Sequence, residues 1–171
     1  LHKSAPGLVQ SAVLWSQGEK VDPFKIERSI ELLQTSSPSA LLIASCESSI
    51  KELIESKGIK KLNSRIEEAE LLKDFLINNK VPILENSDPL RIILHTSKFG
   101  LSGIEVDKRF IKKGIIGELA EPGTLTFCLG FSSHKSLGKR FVRIWNEILT
   151  SFGHQKSCFF KRPPFSVVSK P

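Results

Sequence analysis

The chain has 171 residues, of which 40% are apolar, and its 25 basic and 18 acidic residues give a net charge of +7. This length and composition indicate a globular protein of one domain or two small ones, and they exclude a disordered chain. No apolar run approaches the ~20 residues that span a bilayer, and the N-terminus lacks a charged and then apolar secretory signal, so we expect a cytoplasmic protein.

The first eighty residues begin with the pattern of a capped helix. Asp22 and Pro23 form an N-cap followed by a first-turn proline, and the apolar residues after them predict a helix over 23–35. The segment TSSPS at 35–39 predicts a sharp polar corner, because a proline disfavours helix in the residue before it and hydroxyls compete for backbone hydrogen bonds.

Two further helices are predicted beyond this corner. The apolar run 41–44 is expected to be buried on several sides, and its pattern continues to a helix stop at Gly58. Apolar residues at helical spacing from Leu62 to Leu76 predict the next helix. Three helices are therefore expected before residue 80.

The following residues change from helical to mixed patterning. The segment RIILH at 91–95 predicts a strand. Ser102 and Glu105 fit a capping box, which predicts a helix over 103–113 that stops at Gly114.

Two more strands and a last helix complete the predicted elements. The segments IIGEL and TLTFCLGF are joined by AEPG, and alternating apolar residues in the second of them predict an antiparallel pair. We expect the helices of this part to cover one face of the sheet. The last helix has an apolar stripe formed by Leu137, Phe141, Ile144, Trp145 and Ile148.

These elements indicate an α/β chain with three parts. We predict a mostly helical part over 1–80, a small α+β domain over 81–151 and an irregular extension over 152–171. The boundary near Val81 follows from the prolines and polar residues that begin there.

The excess of positive charge lies at the C-terminal end. Residues 1–131 hold 17 basic and 17 acidic residues, whereas 132–171 hold 8 basic residues and one acidic residue, Glu147. The basic residues of the last helix lie on its polar side, which is typical of a solvated face or a subunit contact. A surface that binds nucleic acid or another acidic partner is the alternative.

Most familiar catalytic motifs are absent from the sequence. There is no Walker phosphate loop, GxGxxG, HExxH or GxSxG. The histidines at 95, 134 and 154 stand alone, and the cysteines at 46, 128 and 158 are too widely spaced for a metal site, so no metal is indicated and reduced thiols are expected.

Two segments resemble a known family. HKSAPGLVQSAVL at 2–14 and GEKVDPFKIERSIELLQTSSPSALLIAS at 18–45 are similar to the Orn/Lys/Arg decarboxylase family of fold-type I pyridoxal-phosphate enzymes, in the His-Lys pair and in the TSSP corner. The similarity continues through DPLRIIL, GLSGIEVDKRF and GIIGELAEPGTLTFCLG, which resemble that family's C-terminal region. The resemblance implies the end of an aminotransferase-like large domain followed by the small domain.

The resemblance also implies a site and a reaction. Lys3 corresponds to the lysine that binds pyridoxal 5'-phosphate covalently, and His2 to the histidine near the cofactor phosphate. Thr35 and Ser36 match hydroxyl residues that reach the phosphate of a neighbouring subunit, a role that suits hydroxyls in a tight turn. The implied reaction is decarboxylation of arginine, lysine or ornithine in a homodimer or larger oligomer, with no membrane or nucleic-acid partner.

The chain departs from the family in its extent. Methionine is absent and the chain begins at Leu1, ahead of which family members carry most of the large domain and the acidic partner of the cofactor ring. Ala40 replaces the family's aromatic residue after S-P-S. We therefore expect a part of a decarboxylase that is inactive by itself. The alternative is a non-catalytic α+β module that binds nucleic acid or another acidic partner through its basic helix.

Overall fold

The structure, a computed structural model, describes residues 5–10, 12–133 and 135–152. The chain divides into two compact units, Leu1–Arg65 and Ile66–Pro171. The three-part domain scheme drawn from the sequence stays a prediction.

The first helix, α1, spans Pro23–Leu33 and begins as the sequence predicts. The Asp22 carboxylate accepts a hydrogen bond from the backbone N–H of Phe24 at 3.0 Å, which satisfies one of the free amides of the first turn. The helix ends two residues before the predicted bound, because Gln34 has an extended backbone. The polar corner predicted after it is confirmed as an irregular connection.

The next two helices are α2, Ala40–Ile54, and α3, Ser56–Asn78. The prediction of a stop at Gly58 is wrong. The break lies at Glu55, whose backbone is extended, and Gly58 lies inside α3. A β-carbon at Gly58 would collide with the carbonyl oxygen of Glu52, so this glycine permits a close approach of backbone.

The predicted burial of the run 41–44 is also wrong. Leu41 is 69% exposed and Ile43 is 54% exposed, although both belong to α2 as a helical pattern requires. None of the described residues before Ala69 contributes a buried apolar side chain.

The second unit contains a four-stranded antiparallel sheet in the order β1-β2-β4-β3. The predicted strand at 91–95 is confirmed with a shorter bound. The predicted antiparallel pair is confirmed as β3 and β4, although β3 shares only Leu119 with the predicted segment IIGEL. The sequence did not predict β1, because two residues are too few to show an alternating pattern. The strands are β1, Ile83–Leu84; β2, Arg91–Leu94; β3, Leu119–Ala120; and β4, Leu125–Cys128.

Helix α4 spans Gly103–Lys112 and is preceded by a short 3-10 helix, Thr96–Phe99. It begins after Ser102 as predicted, but the Ser102 side chain makes no capping hydrogen bond. The backbone N–H of Gly103 donates instead to the Pro122 carbonyl at 3.4 Å. Gly114, with a φ of 73°, follows the C-terminus of α4 as predicted.

The last helix, α5, spans Leu137–Phe152 and buries four of the five residues of the predicted apolar stripe, with Leu137 half-buried. The register pairs Ile92 with Phe127 and Leu94 with Leu125, so these four residues share the core face of the sheet. Phe127 makes edge contacts with aromatic rings of α4 and α5, at centroid distances of 5.3 and 5.1 Å. The core of the second unit therefore joins the sheet to these helices.

Candidate active site

The polar corner at 35–39 connects α1 to α2 and contains two of the four predicted site residues. The backbone N–H of Ser37 donates to Thr35 Oγ1 at 3.3 Å, and the hydroxyl oxygens of the two residues are 3.5 Å apart. Thr35 and Ser36 are both exposed. The hydroxyls are thus held in a local turn and are accessible to a ligand.

The N-terminus of α2 follows this corner directly. Ser39 is the N-cap residue, with an extended backbone and no side-chain capping hydrogen bond. The first backbone N–H groups of the helix therefore donate no hydrogen bond to this residue's hydroxyl oxygen. Hydroxyls and amides together form a donor set whose chemistry fits a phosphate group.

The other two predicted site residues, His2 and Lys3, lie outside the described residues. The nearest described segment contacts α2, because the backbone N–H of Leu8 donates to Ser45 Oγ at 2.9 Å. Sequence reasoning did not find this contact, since a serine inside a helical pattern gives no sign of a partner 37 residues away. The structure thus joins the N-terminal segment to α2, and the roles of His2 and Lys3 stay predictions.

Two titratable groups of the second unit have shifted pKa values. Burial lowers the pKa of Lys73, against the opposing effect of Asp88 and Glu70, and its ammonium donates to the Asp88 carbonyl at 3.2 Å. A hydrogen bond from the Lys113 ammonium, at 2.7 Å, lowers the pKa of the Glu147 carboxyl. The Lys73 hydrogen bond and the Lys113–Glu147 ion pair each join structural elements. Neither contact brings two carboxylates together, which is the arrangement suited to acid–base catalysis.

Part of the basic surface of α5 also has a structural role. The Arg140 guanidinium donates to the Lys113 carbonyl at the C-terminal end of α4. Arg143 lies 4.0 Å from Glu147. Several residues singled out in the sequence lie outside the described residues, namely the histidines at 134 and 154, Cys158 and most of the predicted extension.

In the described part of the chain, no helix has the length and apolar character needed to cross a membrane.

No protein-family model matches the chain, and no curated protein sequence matches it. Solved structures do match. The lysine decarboxylase LdcF of Francisella novicida superposes with a TM-score of 0.69 and 17% sequence identity, over 88% of this chain and 27% of that chain. The constitutive lysine decarboxylase of E. coli superposes with a TM-score of 0.58 and 18% identity, over 80% of this chain and 25% of that chain.

The fold therefore resembles part of a lysine decarboxylase. This agrees with the α/β class and with the family resemblance seen in the sequence, and at this identity the likeness concerns the fold alone. The chain spans about a quarter of the length of these two structures. Neither match supports the alternative of a module that binds nucleic acid.

Proposed function

We propose that the chain is part of a pyridoxal-phosphate-dependent decarboxylase of a basic amino acid. The observation that carries this proposal is that 88% of the chain superposes on the structure of a lysine decarboxylase. Both structural neighbours are lysine decarboxylases, which favours lysine as the substrate over arginine and ornithine. We extend to the chain the cytoplasmic location and the oligomeric state that the resemblance implies.

Four residues form the proposed site. The amine of Lys3 would hold pyridoxal 5'-phosphate covalently, which would require that the amine lose its proton. His2 would bind near the phosphate, and Thr35 and Ser36 would donate hydrogen bonds to the phosphate bound by a neighbouring subunit. When bound, the cofactor supplies an acceptor for the electrons of the bond to the α-carboxylate.

The exposed apolar side chains of the first unit support the proposal that this chain acts with further polypeptide. Trp15 is 81% exposed and Leu33 is 87% exposed, and α1 contains no buried residue. Surfaces of this kind are typical of protein contacts. The chain by itself is therefore proposed to be inactive, with its catalytic partner residues supplied from outside it.

The assignment of Lys3 is tested by chemical trapping. The protein is expressed from its natural gene together with any adjoining coding sequence in the same reading frame. It is then mixed with pyridoxal 5'-phosphate and reduced with borohydride, and the labelled residue is identified by mass spectrometry. We expect the label on Lys3, its loss in Lys3→Ala, and an unchanged label in Lys20→Ala, which removes an exposed lysine of the same unit. The same preparation is assayed for release of carbon dioxide from lysine, arginine and ornithine.

A label on another lysine would refute the role of Lys3. Absence of both label and carbon dioxide release from a folded preparation that includes the adjoining polypeptide would refute the decarboxylase itself. Release from arginine or ornithine in preference to lysine would keep the enzyme class and reject the substrate.

A further inference from the structure

A groove runs between α3 and α5 on the surface of the second unit. Two adjoining cavities of about 760 and 340 Å³ lie along it, and Phe75 and Lys139 line both of them. We call the surface formed by 67–79 and 135–151 the α3–α5 groove, and all of it belongs to the unit Ile66–Pro171. Both cavities are open to solvent, so a small ligand would keep much of its surface in water and a longer occupant fits better.

The floor of the groove is an uncovered apolar strip. Leu71 is 70% exposed, Phe75 is 37% exposed, and Val142 is half-buried beside them. Gly138 allows α5 to approach α3 closely, since a β-carbon there would lie 2.8 Å from the Phe75 ring. An apolar strip between two packed helices is the kind of surface that receives the apolar face of a further helix.

The α5 side of the groove carries free positive charge. Lys139 and Arg143 are one turn apart on α5, and Lys135 lies one turn before them. All three are exposed, and Lys135 and Lys139 make no salt bridge within the described part of the chain. The acidic residue of this side, Glu147, is already paired with Lys113 at 2.7 Å. The basic side chains are therefore available to an acidic partner.

The α3 side of the groove carries free negative charge. Glu67 and Asp74 lie four residues before and three residues after Leu71, so the three side chains share one side of α3. Both carboxylates are exposed, and neither belongs to a salt bridge among the described residues. The floor thus lies between a basic side and an acidic side.

We propose that the α3–α5 groove binds an amphipathic helix that belongs to a separate protein. The apolar stripe of this helix lies on the floor of the groove. Acidic residues along one edge of the stripe lie beside Lys139 and Arg143, and basic residues along the other edge lie beside Glu67 and Asp74.

The charges of the groove argue against two other occupants. A nucleic acid would place its phosphates beside the carboxylates of the α3 side, which repel them. Residues 153–171 of this chain carry four basic side chains and no acidic one, so the α5 side repels them. A helix with edges of opposite charge meets neither repulsion.

The size and polarity of the groove indicate a transient partner. Residues 67–79 extend for about 20 Å, and two adjacent helices are about 20 Å wide, which gives roughly half of the ~800 Å² per partner of a standard interface. Permanent interfaces are larger and more apolar, whereas this floor is narrow and has free charges on both sides. We expect a Kd in the micromolar to millimolar range that rises with salt concentration.

Two fluorescein-labelled peptides of about 14 residues test the groove in anisotropy titrations with the full chain. Both peptides have a leucine stripe at helical spacing. The first carries glutamate along one edge of the stripe and lysine along the other, and the second carries lysine along both edges. We expect the first to bind about tenfold more tightly, because the second places lysines beside Lys139 and Arg143 in either direction of the helix.

A double charge reversal, Lys139→Glu together with Arg143→Glu, makes both sides of the groove acidic. This variant should bind the first peptide about tenfold more weakly than the parent chain does, and the second peptide more tightly. An unfolded variant could not gain affinity in this way. The matched control is Lys108→Glu together with Lys112→Glu, which reverses two exposed charges of α4 and should leave both affinities unchanged.

The apolar floor is tested by Leu71→Gln, which should weaken binding of the first peptide. Ile116→Gln changes a side chain of the same unit that is 76% exposed and lies off the groove, and it should have no effect. Equal affinity of the parent chain for the two peptides, or unchanged binding by the double variant or by Leu71→Gln, would overturn the proposal.

The source of the occupant is tested by repeating the titration with the protein expressed together with any adjoining coding sequence. Equal binding of the first peptide supports a separate protein as the partner. Loss of binding in this longer preparation would assign the groove to the rest of the polypeptide, and oligomers that dissociate when the peptide is added would assign it to a second copy. Either result overturns the proposal. Assembly through other surfaces and the outcome at Lys3 do not change the peptide affinity, so a failure here is distinct from a failure of the proposed decarboxylase.

Discussion

Lys80 is the residue that closes α3, and it does so in the left-handed backbone region, with a φ of 61°. Its N–H donates to the Ile77 carbonyl at 2.9 Å, and the N–H of Val81 donates to the Leu76 carbonyl at 3.0 Å. This is the Schellman pattern of hydrogen bonds, in which glycine is the favoured residue. A β-carbon at this position carries a conformational penalty that glycine avoids.

Lys80→Gly is therefore expected to raise the free energy of unfolding by about 0.5–1 kcal/mol, as measured by urea denaturation. Lys80→Ala keeps the β-carbon and removes the rest of the lysine side chain, so it should give no comparable gain. Equal gains in both variants would show that the lysine side chain, and not the backbone angle, destabilises the parent protein.

At the scale of elements, one ion pair joins α4 to α5. The Lys113 ammonium lies 2.7 Å from a Glu147 carboxylate oxygen, and this hydrogen bond is the main reason that the pKa of Glu147 is lowered in the folded chain. A carboxyl whose pKa is lower in the folded state stabilises the protein above its ordinary value and loses that contribution as the pH falls through the folded value.

Glu147→Gln is thus expected to destabilise the protein at neutral pH, by a small amount because the pair is about half exposed. The difference from the parent protein should shrink as the pH falls below the ordinary carboxyl value of 4.5. Chemical denaturation at several pH values measures this. Glu85→Gln, at an exposed site off these helices, is the control, and a difference that stays constant with pH would contradict the assigned role of the carboxyl.

At the scale of the whole molecule, the two units differ in what holds them together. All seventeen buried apolar residues of the described chain lie between Ala69 and Ile148, in the second unit. Most of the described large apolar side chains of the first unit are exposed instead, and none of them is buried. Burial of apolar surface is the main source of folding free energy, so the units should differ in their ability to fold alone.

We expect residues 66–171, expressed separately, to unfold in one cooperative transition, and residues 1–65 to show none. Circular dichroism during thermal and urea unfolding measures this, and amide hydrogen exchange locates the protected residues. A cooperative transition in 1–65, or its absence in 66–171, would show that the division of the core does not decide folding.

Much of the candidate site depends on local chemistry, and that part could be predicted. The corner at 35–39 forms because of its own hydroxyls and proline, and Asp22 caps α1 from two residues away. The contact of Leu8 with Ser45 could not be predicted, because it joins residues far apart in the sequence. The relation of Lys3 to the corner belongs to this second kind and stays a prediction.

The sequence by itself determined the elements whose signals are local, namely caps, turns and amphipathic stripes. The helices α1, α4 and α5 and the pairing of β3 with β4 follow from such signals, because the residues that specify them lie within one or two turns of each other. Tertiary structure alone decided where α2 ends, that Gly58 lies inside a helix, and that the apolar run 41–44 is exposed. These three features depend on which surfaces pack together. A pattern of apolar residues indicates that a face can be buried, but it does not indicate which element buries it.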